Sequence, residues 1–184
     1  MNDAAAPALG ESAPFFEARV GEALINLKDF RGKWVILFSH PGDVLSLFRT
    51  RTINYILCKR KTKVVALGKG ESDGDSGRNF LKKYVLKHSL MVLDDPGKKI
   101  AASYGLREDP GGEEKKGVFI VDPAGTLRAK LFSPVHAETN FYEILKLRDA
   151  LQEADAQKAK HHAPKAWRKR LRITMLPTPA SRGD

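Results

Sequence analysis

The chain of 184 residues carries one cysteine, Cys58. A single thiol excludes an internal disulfide, a Cys-x-x-Cys redox pair and a multi-cysteine zinc site, so any thiol chemistry has to run through that one sulfur. Long apolar runs are missing too: a stretch such as Trp34 to Phe38 is far shorter than the roughly 20 residues of a membrane-spanning helix. Met1 to Leu9 show no basic region followed by an apolar run, the mark of a secretory leader. The expectation is a soluble protein of a reducing, cytoplasmic compartment with no membrane partner. A metal site is not expected either, because His161 and His162 are adjacent in sequence and cannot both face one ion from a helix.

Acidic residues are the other shortage. The chain has 32 Lys+Arg against 22 Asp+Glu, a net charge of +10, and the excess is local. Arg49 to Lys63 holds Arg49, Arg51, Lys59, Arg60, Lys61 and Lys63 with no acid, and Ala156 to Asp184 holds eight basic residues against Asp184 alone. The rest of the chain is slightly acidic. Such runs serve either as solvated faces or as attractors of an anionic partner, nucleic acid being the obvious class.

What is present reads as one domain with tails. Residues 1–13, rich in Ala and small polar residues, read as a flexible lead-in, residues 14–155 as the domain and residues 156–184 as a basic arm. Phe15 to Val20 and Ala23 to Leu27 suggest a hairpin. Trp34 to Phe38 and Val64 to Leu67 are continuous apolar runs, the pattern of strands buried on both faces. The stretch between them has room for one helix, so strand, helix and strand predict a parallel crossover. Residues 68–77, with four glycines, read as a loop, Asn79 to Lys87 as a helix and Leu90 to Leu93 as a strand. Ile100 to Tyr104 reads as a short helix closed by Gly105. Val118 to Val121 and Thr126 to Phe132 flank a turn and predict a hairpin. Phe141, Ile144, Leu145, Arg148 and Leu151 mark an amphipathic helix over Asn140 to Asp155. A parallel unit joined to an antiparallel hairpin predicts an α/β sandwich, a central mixed sheet flanked by helices.

Leu27-Lys-Asp-Phe-Arg-Gly-Lys-Trp-Val-Ile-Leu-Phe-Ser-His-Pro-Gly-Asp43 resembles the opening of the peroxiredoxins, alkyl hydroperoxide reductases and thiol-specific antioxidants of the one-cysteine type. The resemblance continues in order through Val92 to Pro96, Ile100 to Gly105, Gly117 to Arg128 and the helix from Phe141. His162 to Trp167 and Pro177 to Pro179 are similar to the family's C-terminal arm. It implies a thioredoxin-like fold, an antioxidant thiol peroxidase activity that needs no cofactor, and homodimers or larger homo-oligomers formed through the arm.

That family's chemistry joins a cysteine thiolate, a threonine hydroxyl and a proline in the order Pro-x-x-x-Thr-x-x-Cys, with an arginine supplying positive charge. Counted from Pro41, the threonine position is Leu45 and the cysteine position is Phe48. His40 and Pro41 are kept. Arg51 stands where an acid commonly follows, and Lys116, expected at a surface or pocket edge, aligns with the arginine. Lysine keeps the charge but not the two-pronged donor geometry. Phe48 reads as an apolar plug and His40 as a hydrogen-bonded histidine at a strand end.

Cys58 cannot take over, because Tyr55 and Arg51 occupy the threonine and proline positions of a motif registered on it. Along a helix from about Leu47 to Lys59 it lies about 15 Å beyond Phe48. It reads as a small apolar residue packed beside Ile56 and Leu57, or as an exposed thiol activated by Lys59, Arg60 and Lys61. From Leu45 to about Thr62 the family pattern dissolves, through divergence or through a compensated pair of frameshifts. The functional expectation is a peroxiredoxin-family protein without peroxidase activity. The alternatives are a scaffold for an anionic partner, bound through Arg49, Arg51, Lys59, Arg60 and Lys61 with Lys165, Trp167, Arg168, Lys169, Arg170 and Arg172 of the arm, or an inactive subunit in mixed oligomers with an active peroxiredoxin.

Overall fold

Five consecutive apolar residues, Trp34–Phe38, form β3, and all five are buried. A strand reads that way only when both faces of its sheet are covered, and the rest of the fold does the covering. In the computed structural model, which describes residues 6–20, 23–45, 51–68, 89–106 and 115–162, β3 is the centre of a five-stranded sheet. The other strands are β4 (Thr62–Gly68), β5 (Leu90–Asp94), β6 (Lys115–Val121) and β7 (Leu127–Pro134), in the order β5-β4-β3-β6-β7. β3, β4 and β5 are mutually parallel, whereas β6 is antiparallel to both β3 and β7. The expected crossover and hairpin therefore share one mixed sheet. A separate hairpin pairs β1 (Glu17–Val20) with β2 (Ala23–Asn26).

Strand alternation sorts the core. On one face Val35, Leu37, Val65, Leu67, Phe119 and Val121 pack with Phe16 and Ala18 of the hairpin segment, and with Ile100, Ala101 and Tyr104. Those last three belong to or follow α3 (Lys99–Ser103). Its first turn is held by Asp95, whose carboxylate accepts from the amides of Ile100 at 2.9 Å and Ala101 at 3.0 Å. Gly105, with φ +93, ends it as expected. The other face presents Ile36, Phe38, Val64, Ala66, Val118 and Ile120, all buried, and there the ring of Phe141 lies 6.1 Å from that of Phe38.

Among the described residues of the β3 to β4 crossover are two short helices, α1 (Gly42–Leu45) and α2 (Arg51–Lys59). In α2, Ile53 and Leu57 are buried, and Asn54 is buried with them because its side-chain oxygen accepts the Ser89 amide at 3.2 Å. The polar residue that breaks the apolar stripe in the sequence is thus part of the buried face.

The described part of the expected lead-in, from residue 6, is held in place. Gly10 donates to Leu127, Leu127 to Glu11 and Ala13 to Gly125 at 2.8–2.9 Å, Lys130 reaches the Pro7 carbonyl at 2.7 Å, and Ala13 is buried. These bonds lay residues 10–13 along the start of β7.

The chain divides into two compact units, Met1–Tyr142 and Glu143–Asp184. α4 (Phe141–His162) begins in the first and makes up the described part of the second. It runs seven residues past Asp155, so the first residues of the expected arm are helical. Within it Ile144, Leu145 and Arg148 are buried, and Lys146 pairs with Glu143 at 2.8 Å. The helix expected over Asn79 to Lys87, most of the loop before it and the arm beyond His162 lie outside the described residues.

Candidate functional site

The ladder between β3 and β6 extends one residue past Phe38. Ser39 donates its amide to the Gly117 carbonyl at 2.9 Å, and its hydroxyl accepts the Gly117 amide at 2.8 Å. This double link sets the neighbouring residue, Lys116, against the corner where β3 gives way to His40, Pro41 and α1. Pro41 turns the chain, its carbonyl accepting the Val44 amide at 3.1 Å. Asp43, in the first turn of α1, receives the Lys116 ammonium at 2.6 Å. The side chains are only 5% and 12% exposed, so this is a buried ion pair. The second oxygen of Asp43 accepts the hydroxyl of Thr139 at 3.0 Å. Three segments, the β3–α1 corner, β6 and the residues before α4, thus meet on one carboxylate.

The structure brings His40, Pro41 and Lys116 to one end of the sheet. Lys116 is not the edge charge expected of it. It sits in a strand with buried neighbours, where a cation persists only with a partner, and Asp43 is that partner. His40 is exposed, and among the described residues its imidazole makes no hydrogen bond. Its ring lies over Gly42, where a Cβ would come within 2.8 Å of Cε1. Leu45 ends α1. Phe48, Arg49, Lys165, Trp167, Arg168, Lys169, Arg170 and Arg172 lie outside the described residues.

Cys58 is elsewhere. It is the penultimate residue of α2, just before β4, whereas His40 and Pro41 follow the end of β3. Because β3 and β4 are parallel, these are opposite ends of the sheet. The packed, apolar reading of Cys58 is also corrected: the residue is exposed, with Sγ 3.3 Å from the Ser89 hydroxyl. The burial of α2 falls on Ile53, Asn54 and Leu57, which turns Cys58 outward.

Asp43 and Thr139 were not singled out in the sequence. A signal for the first was present, since a lysine within an apolar strand run demands a carboxylate, and Asp43 is the acid that follows Pro41. Thr139 has no such mark, as nothing in a polar loop says which hydroxyl turns inward. Among the described residues there is no group of three or more metal-ligating side chains and no helix long and apolar enough to cross a membrane.

Comparison with known proteins matches the chain to one family. The AhpC/TSA family pattern matches residues 9–130. Peroxiredoxin 2 of Picrophilus torridus is 33% identical over 167 residues, 87% of this chain and 82% of that protein. Peroxiredoxin 2 of Caldanaerobacter subterraneus is 31% identical, covering 88% of this chain and 76% of the relative. Among solved structures, a yeast mitochondrial 1-Cys peroxiredoxin superposes with a TM-score of 0.62 at 24% identity, over 82% of this chain and 78% of that one. The reduced 2-Cys peroxiredoxin of Plasmodium vivax gives 0.60 at 20% identity, over 82% and 85%. These two establish the thioredoxin-like fold. With the family pattern spanning most of the chain and relatives above 30% identity covering nearly all of it, the protein belongs to the AhpC/TSA family, the peroxiredoxins.

Proposed function

We propose that this chain is a peroxiredoxin that has lost thiol peroxidase chemistry and survives as a non-catalytic member of its family. The carrying observation is the register from Pro41: the position for the peroxide-orienting hydroxyl is Leu45 and the position for the nucleophile is Phe48. Without a thiolate no sulfur attacks the O–O bond, and without the hydroxyl the peroxide has no donor to align it.

Two further observations support the reading. The lysine aligned with the family's arginine is already neutralised by Asp43 at 2.6 Å, so little of its charge is left for a departing oxygen. The remaining thiol, Cys58, stands at the opposite end of the sheet. The protein stays soluble in the cytoplasm and assembles with itself, or with an active peroxiredoxin, through its arm. With a dithiol reductant in excess, the purified protein consumes hydrogen peroxide no faster than the reductant alone. Rapid turnover abolished by Cys58→Ser contradicts the proposal, and co-purification with an active peroxiredoxin supports the mixed oligomer.

A further inference from the structure

A second charged feature occupies the end of the sheet away from Pro41. Trp34 stands opposite Thr62 in the β3–β4 register, so Lys33 and Lys61 precede their strands side by side, and the Trp34 amide donates to the Lys61 carbonyl at 3.1 Å. Lys63 follows on β4 opposite Val35, and the last residue of α2 is Lys59. Lys33, Lys59 and Lys61 are exposed and Lys63 is half-buried.

Lys33 and Lys63 lie close enough for their charges to oppose each other. The Lys63 amine is held below the usual lysine range, by burial first and by the charge of Lys33 second, with a smaller opposing pull from Cys58. Among the described residues no carboxylate pairs with any of the four. One of the four adjoins an aromatic ring: Tyr55, one turn before Lys59 on α2, is 64% exposed, and the Lys59 ammonium lies 5.5 Å from its centroid.

We propose that this corner, Lys33, Lys59, Lys61 and Lys63 with Tyr55, is a binding face for single-stranded nucleic acid. The lysines meet successive phosphates and the Tyr55 ring stacks on a base, the pairing of a cationic track with an exposed aromatic that suits unpaired strands. An anionic bilayer fits less well. Membrane docking through a basic face needs apolar side chains to insert, and the exposed large apolar residues Leu9, Phe15, Leu24, Leu131 and Phe132 belong to other segments. The face is independent of the arm, although the arm's own basic residues make a competing site that the test has to separate.

The test is fluorescence anisotropy of the full chain with a labelled 20-nucleotide oligouridine between 50 and 300 mM KCl. The wild type binds at low salt, and four phosphate contacts give a slope of log K against log salt of about −2.8. Replacing Lys33, Lys61 and Lys63 together by Gln makes that slope shallower by about 2 units. Tyr55→Ser weakens binding about fivefold or more at unchanged slope, the loss of one stacked base. Gln at Lys165, Arg168, Lys169, Arg170 and Arg172 leaves the contribution of the corner in place. A readout independent of these variants is iodoacetamide alkylation of Cys58 in the wild type, which saturating oligonucleotide slows because Lys59 adjoins that residue. The proposal is overturned by absence of binding at 50 mM salt, by a wild-type slope in the triple Lys variant, or by an alkylation rate that oligonucleotide leaves unchanged. Binding to phosphatidylserine vesicles but not to the oligonucleotide overturns it as well.

Discussion

Asp43→Ala removes the partner of a buried cation, and the geometry sets the size of the effect. Lys116 is 5% exposed and its carboxylate partner 12%, so water screens little of their 2.6 Å interaction. Loss of one member of such a pair leaves an uncompensated charge in a low-dielectric site and costs about 3–5 kcal/mol, a large share of the roughly 5–15 kcal/mol that holds a domain folded. The Thr139 hydroxyl loses its acceptor at the same time. For a chain of this size each kcal/mol lowers the melting temperature by about 2–4 °C, so the variant melts about 6–20 °C below wild type. Lys116→Met keeps the apolar stem and leaves Asp43 its hydrogen bond from Thr139, so it costs less than Asp43→Ala. The Asp43→Ala, Lys116→Met double variant is more stable than Asp43→Ala alone, because the orphaned ammonium is gone, and the cycle gives a coupling of about 1–3 kcal/mol. Urea unfolding followed by circular dichroism measures all four proteins. An Asp43→Ala unfolding free energy within about 0.5 kcal/mol of wild type, the range of an ordinary surface change, or strict additivity in the cycle, refutes the buried-pair argument.

Other outcomes follow from the same structure. Asp95→Ala strips the first turn of α3 of both side-chain acceptors and costs about 1–2 kcal/mol by urea unfolding, while Asp95→Asn costs less. Burial holds the Tyr104 hydroxyl above its ordinary range, so the folded chain keeps a proton that the unfolded chain loses near pH 10. The stability this contributes is complete below that pH and falls above it by about 1.4 kcal/mol per unit. Tyr104→Phe removes that part of the slope between pH 10 and 11, and costs about 1 kcal/mol at neutral pH for the lost bond to the Pro14 carbonyl. Leu45→Thr with Phe48→Cys restores little peroxidase activity, because Lys116 stays paired with Asp43; full recovery in a peroxide assay shows that only two side chains had been lost. If the gene's codons 45–62 encode Thr and Cys at the motif positions in another frame, the frameshift history is correct, and their absence from every frame favours divergence.

Much of the sheet was legible because its strands are extreme. Trp34–Phe38, Val64–Leu67 and Val118–Val121 are too apolar to lie anywhere but between two covered faces, and Pro96-Gly97 and Pro123 to Gly125 mark turns that need those residues. Lys116 was misread because a polar residue in an apolar stretch looks like an edge, yet it is buried beside Asp43, a partner distant in sequence; Asn54, buried against Ser89, is a second case of the same kind. The anchoring of residues 10–13 was not legible, because it runs through backbone amides and carbonyls, which carry no side-chain signature. Of the site, the assignment of Leu45 and Phe48 to the motif positions rests on counting from Pro41 alone. The ion pair that occupies the lysine, and the outward turn of Cys58, required the fold.

The proposed loss of peroxidase chemistry turns on the placement of the one thiol, Cys58. The most direct measurement is the second-order rate constant for loss of the Cys58 thiol on reaction with hydrogen peroxide at pH 7, followed by mass spectrometry. The expected rate is within about tenfold of that of a small free thiol under the same conditions, and neither Lys116→Met nor His40→Ala at the far end of the sheet changes it. A rate orders of magnitude faster, or one that either substitution lowers, contradicts it.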